Sequence, residues 1–413
     1  TDSTLDFAGY QALETRLLAN TAAAVRKWSS VGEPFTHSRF NPDGNIQRLA
    51  AGAPYNRSFR LTPAAPSPAG GVLLVHGLTD SPYSMKALAE ALYGRGFEVT
   101  VLRLPGHGTL PSMLTEMRYR DWVAAVRLAA RDVARRTGAG QPFYVGGYST
   151  GATLTLSYAM DALKEPGLRR PDRILLISPA IELTAVAGLA NIIDVLSVVP
   201  LPVLDKVRWQ KVLPEYDPYK FNSFPVNAGR QVNRATKELV AALAAAGEDG
   251  TISNLPPVVT WQSVVDSTVG SSGTVDTLYA HLAGGKHRLV IFDVNRSRML
   301  SSVQRPAARD VIERAIATNH GYSLEIVSNA NESGPGLVLA RYTPGSSLAT
   351  VQPLDLAWPA DVVSLGHVAL PFRPDDPVYG ILPGSGHDGV PSLGSLLFRG
   401  ESGALTISLG SLT

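Results

Sequence analysis

Short apolar runs bounded by turn residues alternate with segments of helical period over the centre of the chain. The helical segment after the first run begins at Pro82 and ends at Gly94, and the segment after the second ends at Gly138. Repeated strand, helix and strand units form parallel strands joined by right-handed crossovers. We therefore predict an α/β fold with a mostly parallel sheet covered by helices on both faces. The predicted strands are residues 72–75, 99–102, 143–145, 174–177, 258–261 and 289–292.

Three stretches depart from this alternation. We predict that residues 1–68 are a helical lead-in and linker, and that residues 69–413 form one domain. At about 181–255 the alternation lapses behind a predicted strand, which is where open α/β sheets bind ligands, so we interpret this insertion as a helical cap. From about 318 to 413 we expect further strands and loops that extend the sheet. The apolar positions of the lead-in helix are Leu13, Leu17, Leu18 and Val25. The extra strands are predicted at 323–327, 337–342 and 362–363.

The aromatic residues of the insertion have two possible roles. They line a substrate pocket, or they pack the cap onto the body of the protein. The sequence leaves both open. These residues are Trp209, Tyr216, Tyr219, Phe221 and Phe224.

Composition excludes several classes of protein. Of 413 residues 45% are hydrophobic and 17% are charged, which suits a globular core and is too apolar for disorder. Lys and Arg number 37 against 35 for Asp and Glu, with no long basic run, so we expect no nucleic-acid partner. The absence of cysteine excludes disulfides and thiolate chemistry. Gly188, Pro200 and Pro202 interrupt the most apolar stretch, so we predict no transmembrane span.

The chain begins at Thr1 rather than at methionine, which indicates that an N-terminal segment has been removed. The sequence does not determine the cellular location of the protein, although an extracytoplasmic (periplasmic or secreted) location is favoured over a cytoplasmic one. No HExxH string and no His/Asp cluster at ligand spacing occurs, and the glycine pairs lack a phosphate-loop or dinucleotide context, so we expect neither a metal nor a cofactor. The oligomeric state is not indicated.

The strongest chemical signal is the string Gly147-Tyr148-Ser149-Thr150-Gly151 between a predicted strand and a predicted helix. A nucleophilic serine on a sharp strand-to-helix turn needs small residues two positions away on each side, because strand and helix nearly touch there. Gly147 and Gly151 meet that need. We therefore predict that Ser149 is a nucleophile, although a bland turn would use the same residue types.

A second signal is the buried run that ends in Val75-His76-Gly77-Leu78, about seventy residues before Ser149. A tetrahedral intermediate needs two donors aimed at its oxyanion, one from the residue after the nucleophile and one from an earlier loop. We predict that these donors are the backbone amides of Leu78 and Thr150. We expect His76 to shape its turn rather than to carry protons.

With these two segments and with Leu104-Pro105-Gly106-His107-Gly108, the chain resembles the α/β-hydrolase superfamily of serine hydrolases. It is most similar to bacterial carboxylesterases and to monoacylglycerol-lipase-like and serine-aminopeptidase-like members. The resemblance covers roughly residues 70–295 and implies a cap where the insertion lies. It is specific to the superfamily and not to a substrate.

In this fold the partners of the serine follow in the order Ser, Asp or Glu, His. Asp266 stands just beyond the strand 258–261 and resembles the acid of the family, so we predict that it orients the base. Asp293 is the competitor, because it follows the next predicted strand. Asp276 is expected on the surface of a helix.

The base departs from the family pattern, because residues 295–301 after the strand 289–292 contain no histidine. We predict that His367 is the base, displaced by the extra strands between it and Asp293. His387 lies in a loop that is equally compatible with a surface turn, and His320 precedes a strand, at the wrong end.

The resulting hypothesis is a serine hydrolase that cleaves small-molecule or lipid-like carboxylic esters through an acyl-enzyme, with the triad Ser149, Asp266 and His367. One alternative is an amide or peptide hydrolase with the same triad. Another is a hydrolase-fold binding protein without turnover, which the displaced histidine favours.

Overall fold

The computed structural model describes most of the chain between Leu5 and Leu393. The described residues are 5–28, 37–41, 44–49, 55–64, 67–182, 208–264, 266, 269–282, 284–294, 306–331, 334–358, 372–373, 375–380, 386–387 and 390–393.

A ten-stranded sheet forms the centre of the molecule. Its strands are β1 (Phe59–Leu61), β2 (Gly70–Val75), β3 (Phe97–Leu102), β4 (Phe143–Tyr148), β5 (Arg173–Ile177), β8 (Val258–Ser263), β9 (His287–Asp293), β10 (Tyr322–Asn329), β11 (Gly336–Tyr342) and β12 (Ala349–Ala357). Their order across the sheet is β1-β3-β2-β4-β5-β8-β9-β10-β11-β12. Neighbours from β3 to β10 pair in parallel, and β1, β11 and β12 are antiparallel to their neighbours.

Two short hairpins lie outside this sheet. One joins β6 (Trp209–Lys211) to β7 (Phe224–Pro225), and the other joins β13 (Gly386–His387) to β14 (Val390–Pro391). The helices are α1 (Phe7–Trp28), α2 (Asn45–Leu49), α3 (Lys86–Tyr93), α4 (Tyr119–Arg136), α5 (Thr150–Lys164), α6 (Val226–Glu248) and α7 (Pro306–Ala317). Among the described helices, none has both the length and the hydrophobicity that crossing a membrane requires.

The central strand β2 shows how helices cover both faces of the sheet. Its six residues are all buried. Leu73 packs in one apolar cluster with Trp122 of α4, whereas Leu74 packs in the other with Ala89 of α3. Because successive side chains of a strand point to opposite faces, a continuously apolar strand needs a layer on each side. The predicted α/β fold with a mostly parallel sheet is confirmed.

The six strands predicted in the centre of the chain correspond to β2, β3, β4, β5, β8 and β9. The predicted strands 323–327 and 337–342 correspond to β10 and β11. Strand β12 was not predicted. Most of its side chains are exposed on both faces of the sheet, so its sequence lacks an alternation of apolar and polar residues. The predicted strand at 362–363 lies outside the described residues.

The insertion at 181–255 is divided in the structure. Its second half is mostly α6, whose residues Val232, Leu239 and Leu243 are buried in the main core. This helix therefore belongs to the layer that covers the sheet. Residues 183–207 lie outside the described part, so the cap, like the boundaries at 68 and 318, stays a prediction.

The lead-in helix α1 is attached through a buried ion pair. Glu14 and Arg103 are 2% and 3% exposed, and their Oε1 and Nε atoms are 2.9 Å apart. Ser58 donates to the same carboxylate through its amide and its hydroxyl. Leu13, expected on the apolar face, is 41% exposed. The face of α1 that enters the protein around residue 14 thus carries a charge rather than a leucine.

This geometry predicts a large effect on stability. Glu14→Ala should lower the free energy of unfolding by about 3–5 kcal/mol, because the Arg103 guanidinium stays buried without its counter-charge. Denaturation in urea measures the effect. Glu165, 46% exposed and paired with Arg127, is the matched control, and Glu165→Ala should cost less than about 1 kcal/mol. Equal losses in the two variants would contradict this account of the ion pair.

Candidate active site

Ser149 occupies a sharp turn between β4 and α5. Its φ is 53° and its ψ is −118°, a conformation that costs a residue with a side chain about 1–3 kcal/mol. Two hydrogen bonds stabilise the turn. The Ser149 amide donates to Ile177 of β5 at 2.9 Å, and the Thr153 amide donates to the Ser149 carbonyl at 3.1 Å. Strained residues of this kind concentrate at functional sites.

The two glycines of the turn are required by close contacts between backbones. A β-carbon placed on Gly147 would lie 2.3 Å from the carbonyl carbon of Gly151. One placed on Gly151 would lie 2.1 Å from the carbonyl oxygen of Val75 and 2.5 Å from that of His76. A carbonyl group cannot move aside as a flexible side chain can. The turn therefore packs directly on the end of β2, as the sequence pattern predicts.

The same contact brings the two predicted oxyanion donors onto neighbouring loops. The first hydrogen bond of α5 comes from the Thr153 amide, so the amide of Thr150 has no acceptor within the helix. On the other loop, a β-carbon on Gly77 would lie 3.0 Å from the ring of Tyr148. Leu78, the next residue, is half-buried. The Thr150 amide thus directly follows Ser149, the Leu78 amide follows the glycine that contacts Tyr148, and their role as oxyanion donors stays a prediction.

Two buried histidines shape the loops beneath this site. The His76 Nε2 atom accepts from the Leu104 amide at 3.0 Å, so its Nδ1 carries the proton and donates to the Gly77 carbonyl at 2.8 Å. Burial lowers the pKa of His76 well below its usual value, as the expected structural role requires. Burial also lowers the pKa of His107 to about 4, and its ring packs against that of His76 at 5.0 Å.

Asp266 lies beyond the end of β8, two strands from the nucleophile strand in the order β4-β5-β8. The residue is 8% exposed. Its Oδ1 accepts from the Val269 amide at 3.0 Å, and its Oδ2 accepts from the Gln262 side chain at 3.2 Å. Thr274 in turn donates to the Gln262 amide oxygen at 3.3 Å. Both oxygens of the carboxylate therefore accept hydrogen bonds, and Asp266 lies at the carboxyl ends of the strands, as Ser149 does.

Sequence analysis missed Gln262. It is 1% exposed, and a polar side chain within a strand is the only signal that could have drawn attention to it. Ser178 was missed as well. It directly follows β5 with a φ of 40°, and its amide donates to Trp261 of β8 at 2.9 Å.

The other candidate acids differ in position. Asp276 is 43% exposed and pairs with Arg314, which confirms the expected surface location. Asp293 ends β9, one strand farther from β4 than Asp266. The assignment of the acid to Asp266 stays a prediction.

The positions of the histidines narrow the choice of base. His287 begins β9, and His320 lies in the short helical turn before β10, so both lie at the amino ends of parallel strands, opposite the end that carries Ser149. His281 ends the short helical turn before β9, and His37 is exposed in the lead-in. The predicted base, His367, lies outside the described residues.

Only the backbone placement of His387, in β13, is described. The described part of the chain holds no group of three or more His, Asp or Glu side chains placed to bind a metal ion.

Parallel strands in this order, with a strained serine between the central strand and the following helix, define an α/β-hydrolase. The family model described as serine aminopeptidase, S33, matches residues 66–292, more than half of the 413 residues. The chain therefore belongs to the serine aminopeptidase S33 family.

Similarity to individual proteins is more limited. A thermostable monoacylglycerol lipase from Bacillus sp. (strain H-257) is 39% identical over 120 residues, which are 29% of this chain and 44% of that protein. The match thus spans less than half the length of the curated relative. A monoglyceride lipase from Saccharomyces cerevisiae is 14% identical, with a TM-score of 0.43 over 57% of this chain and 81% of that one. A monoacylglycerol lipase from Paleococcus ferrophilus is 18% identical, with a TM-score of 0.41 over 57% and 87%.

The packing of the turn predicts an asymmetry between two glycines. Gly151→Ala should lower the free energy of unfolding by about 1–3 kcal/mol, because the added methyl meets two carbonyl oxygens. Gly167 has no atom within 4 Å of its β-carbon position, and Gly167→Ala should change stability by less than about 1 kcal/mol. Thermal and urea denaturation compare the two. A Gly151→Ala variant as stable as Gly167→Ala would refute the close contact.

The buried histidines predict a pH dependence of stability. Their pKa values are lower in the folded chain than the value of about 6.5 expected when unfolded. Their contribution is therefore fully present above pH about 6.5 and is lost as the pH falls towards the folded-state pKa of His107 of about 4. Each neutral histidine should contribute a slope of about 1.4 kcal/mol per pH unit in that window.

Urea denaturation between these pH values tests the sign and its source. His107→Gln should reduce the slope, because one of the two buried imidazoles is gone. His37→Gln, at an exposed position, should leave it unchanged. A slope that is the same in His107→Gln and the parent would mean that His107 is not buried as the neutral form.

Proposed function

We propose that the protein is a carboxylic ester hydrolase with Ser149 as its nucleophile. The observation that carries the proposal is the positive φ of Ser149 on the turn between β4 and α5. Of the three non-glycine residues with a positive φ in the described structure, Ser149 is the one that directly precedes an α-helix. The 39% identical Bacillus protein, a monoacylglycerol lipase, supports an ester as the substrate.

In the proposed mechanism the Ser149 Oγ attacks the acyl carbon and its proton passes to the base. The amides of Leu78 and Thr150 donate to the oxyanion of the tetrahedral intermediate, and each such donor is worth about 2.7–4 kcal/mol in comparable enzymes. The alcohol then leaves with the proton returned by the base. Water attacks the acyl-enzyme in the same manner and releases the acid.

Asp266 and His367 complete the proposed triad. A carboxylate that orients an imidazole must itself be fixed, and Asp266 is fixed by the Val269 amide and by Gln262. The described histidines at the amino ends of strands lie on the wrong edge of the sheet, which supports a base from the C-terminal region. His367 is our choice within that region, and His387 is the competitor.

A second candidate reaction is amide or peptide hydrolysis by the same residues, which the name of the family favours. Paired ester and anilide substrates with one acyl group distinguish the two reactions. A third hypothesis is a binding protein that does not turn over a substrate. A fluorophosphonate probe that leaves Ser149 unlabelled in the folded protein would favour it.

The triad is tested by single substitutions in the full-length chain. Ser149→Ala, Asp266→Asn and His367→Ala should each lower kcat for an activated ester by at least about 10³-fold, because the three groups act as a unit. For the same reason the Ser149→Ala/His367→Ala double variant should be little worse than either single variant. Ser253→Ala removes an exposed hydroxyl outside the site and should retain parental turnover.

Each substitution can fail separately. Ser149→Ala with turnover within a few-fold of the parent would disprove the nucleophile. An inactive His387→Ala beside an active His367→Ala would move the base to His387 and leave the hydrolase standing. A mild Asp266→Asn beside a severe Asp293→Asn would move the acid.

A further inference from the structure

Four tyrosines from different parts of the chain meet beside the Leu78 loop, and we call them the tyrosine junction. They are Tyr55 of the lead-in, Tyr83 of the loop after β2, Tyr219 of the insertion and Tyr379 of the C-terminal region. Tyr83 stacks on Tyr219 with ring centres 4.1 Å apart, and its centre lies 5.3 Å from Tyr55 and 5.7 Å from Tyr379. Tyr83 is thus the centre of the junction.

Two tyrosine–aspartate hydrogen bonds connect the segments. The Tyr83 hydroxyl donates to both carboxylate oxygens of Asp376 at 2.9 Å, and the Tyr379 hydroxyl donates to Asp217 at 2.5 Å. Each carboxylate also organises its own turn. Asp376 accepts from the Tyr379 amide and Asp217 accepts from the Tyr219 amide, both at 2.9 Å. Each tyrosine hydroxyl therefore donates to an aspartate of another segment, and a backbone amide of that segment already holds the aspartate in place.

One buried cation, Arg39, lies near the Asp217 carboxylate of the junction. The guanidinium of Arg39 is buried among groups that include Asp217, and it donates to the Lys220 carbonyl at 3.1 Å and to Asn56 at 3.2 Å. Burial and the Asp376 carboxylate raise the pKa of Tyr83, so its hydroxyl stays a donor over any ordinary assay pH. The Tyr83–Asp376 hydrogen bond therefore does not depend on the pH of an ordinary assay.

The junction bears directly on the loop that carries the Leu78 amide. Tyr83 follows Leu78 by five residues, within the helical turn Pro82–Met85. From the insertion, the Phe221 amide donates at 2.8 Å to the carbonyl of Thr79, whose φ is 64°. Thr79 is the residue after Leu78, so the loop is held at two points, Thr79 and Tyr83, that both follow its proposed donor.

The same network contacts Phe372, the first described residue after Trp358. Phe372 packs 4.4 Å from Tyr379 and 6.2 Å from Tyr83, measured between ring centres. His367, the proposed base, precedes Phe372 by five residues, a span that reaches at most about 18 Å. The junction therefore holds the described residue Phe372, which follows the proposed base in the sequence.

We propose that the tyrosine junction is a positioning device of the hydrolase site, in which Tyr83 and Asp376 align the Leu78 loop with the C-terminal region that supplies the base. This inference rests on the proposed function. Tyr83, Asp217, Asp376 and Tyr379 are positioning residues, since they act through Leu78 and the base. Their loss should therefore affect the transition state more than substrate binding.

The test uses Tyr83→Phe in the full-length protein, because this change keeps the ring that stacks on Tyr219 and removes only the hydroxyl. We expect kcat for a small activated ester to fall about 10-fold or more, with KM changed less than about 3-fold. Asp376→Asn, which keeps an oxygen for the Tyr379 amide, should give a similar loss. The double variant should be little worse than either single variant.

Tyr158→Phe is the matched control, because its buried hydroxyl donates to the Arg169 carbonyl at 2.9 Å, on the far part of α5. Its kcat should equal that of the parent, although its Tm falls as far as that of Tyr83→Phe. A parental kcat in both Tyr83→Phe and Asp376→Asn, beside an inactive Ser149→Ala, would overturn the inference alone. An active Ser149→Ala would overturn the proposed function and the inference with it. Should Tyr83→Phe not fold, Tyr379→Phe makes the same test from the other bond.

Discussion

The direct contact between two stretches of backbone is the constraint on which the rest of the structure depends. Gly151 lies against the carbonyl groups of Val75 and His76, so the first turn of α5 and the end of β2 have no side chain between them. This contact fixes Ser149 beside the loop that carries Leu78, and the parallel order of the sheet then places Asp266 along the same edge. The site is rigid because its parts touch through backbone, which has few alternative conformations.

The sequence could predict what local pattern determines. Five residues around Ser149, with a strand before and a helix after them, were enough to predict the sharp strand-to-helix turn, because the close packing admits only glycine at two positions. The apolar runs predicted the positions of the strands in the centre of the chain and their mostly parallel direction, but not their order across the sheet. The attachment of α1 was not predictable. Glu14 is buried only because Arg103, far along the chain, lies opposite it.

The choice of the base shows most clearly what a sequence pattern cannot predict. The residues near His367 do not indicate which part of the fold this histidine contacts, because such contacts join segments that are distant in the sequence. Asp376 meets Tyr83 across almost three hundred residues, and neither forms a motif with its neighbours. Neither the family pattern nor a local sequence signal indicates this contact between the C-terminal region and the loop after β2, and it is known only from the structure. The structure shows the C-terminal region packed against the loops of the site.

The buried charge of Arg103 has a consequence for how the protein can be divided. The region that the family model matches, residues 66–292, contains Arg103 and Tyr83 but not Glu14 or Asp376. Cut out by itself, it would leave Arg103 without its carboxylate partner and the Tyr83 hydroxyl without its acceptor. The region that the family model matches therefore lacks partners that two of its buried polar side chains have in the whole chain. The two flanks thus complete contacts inside this region.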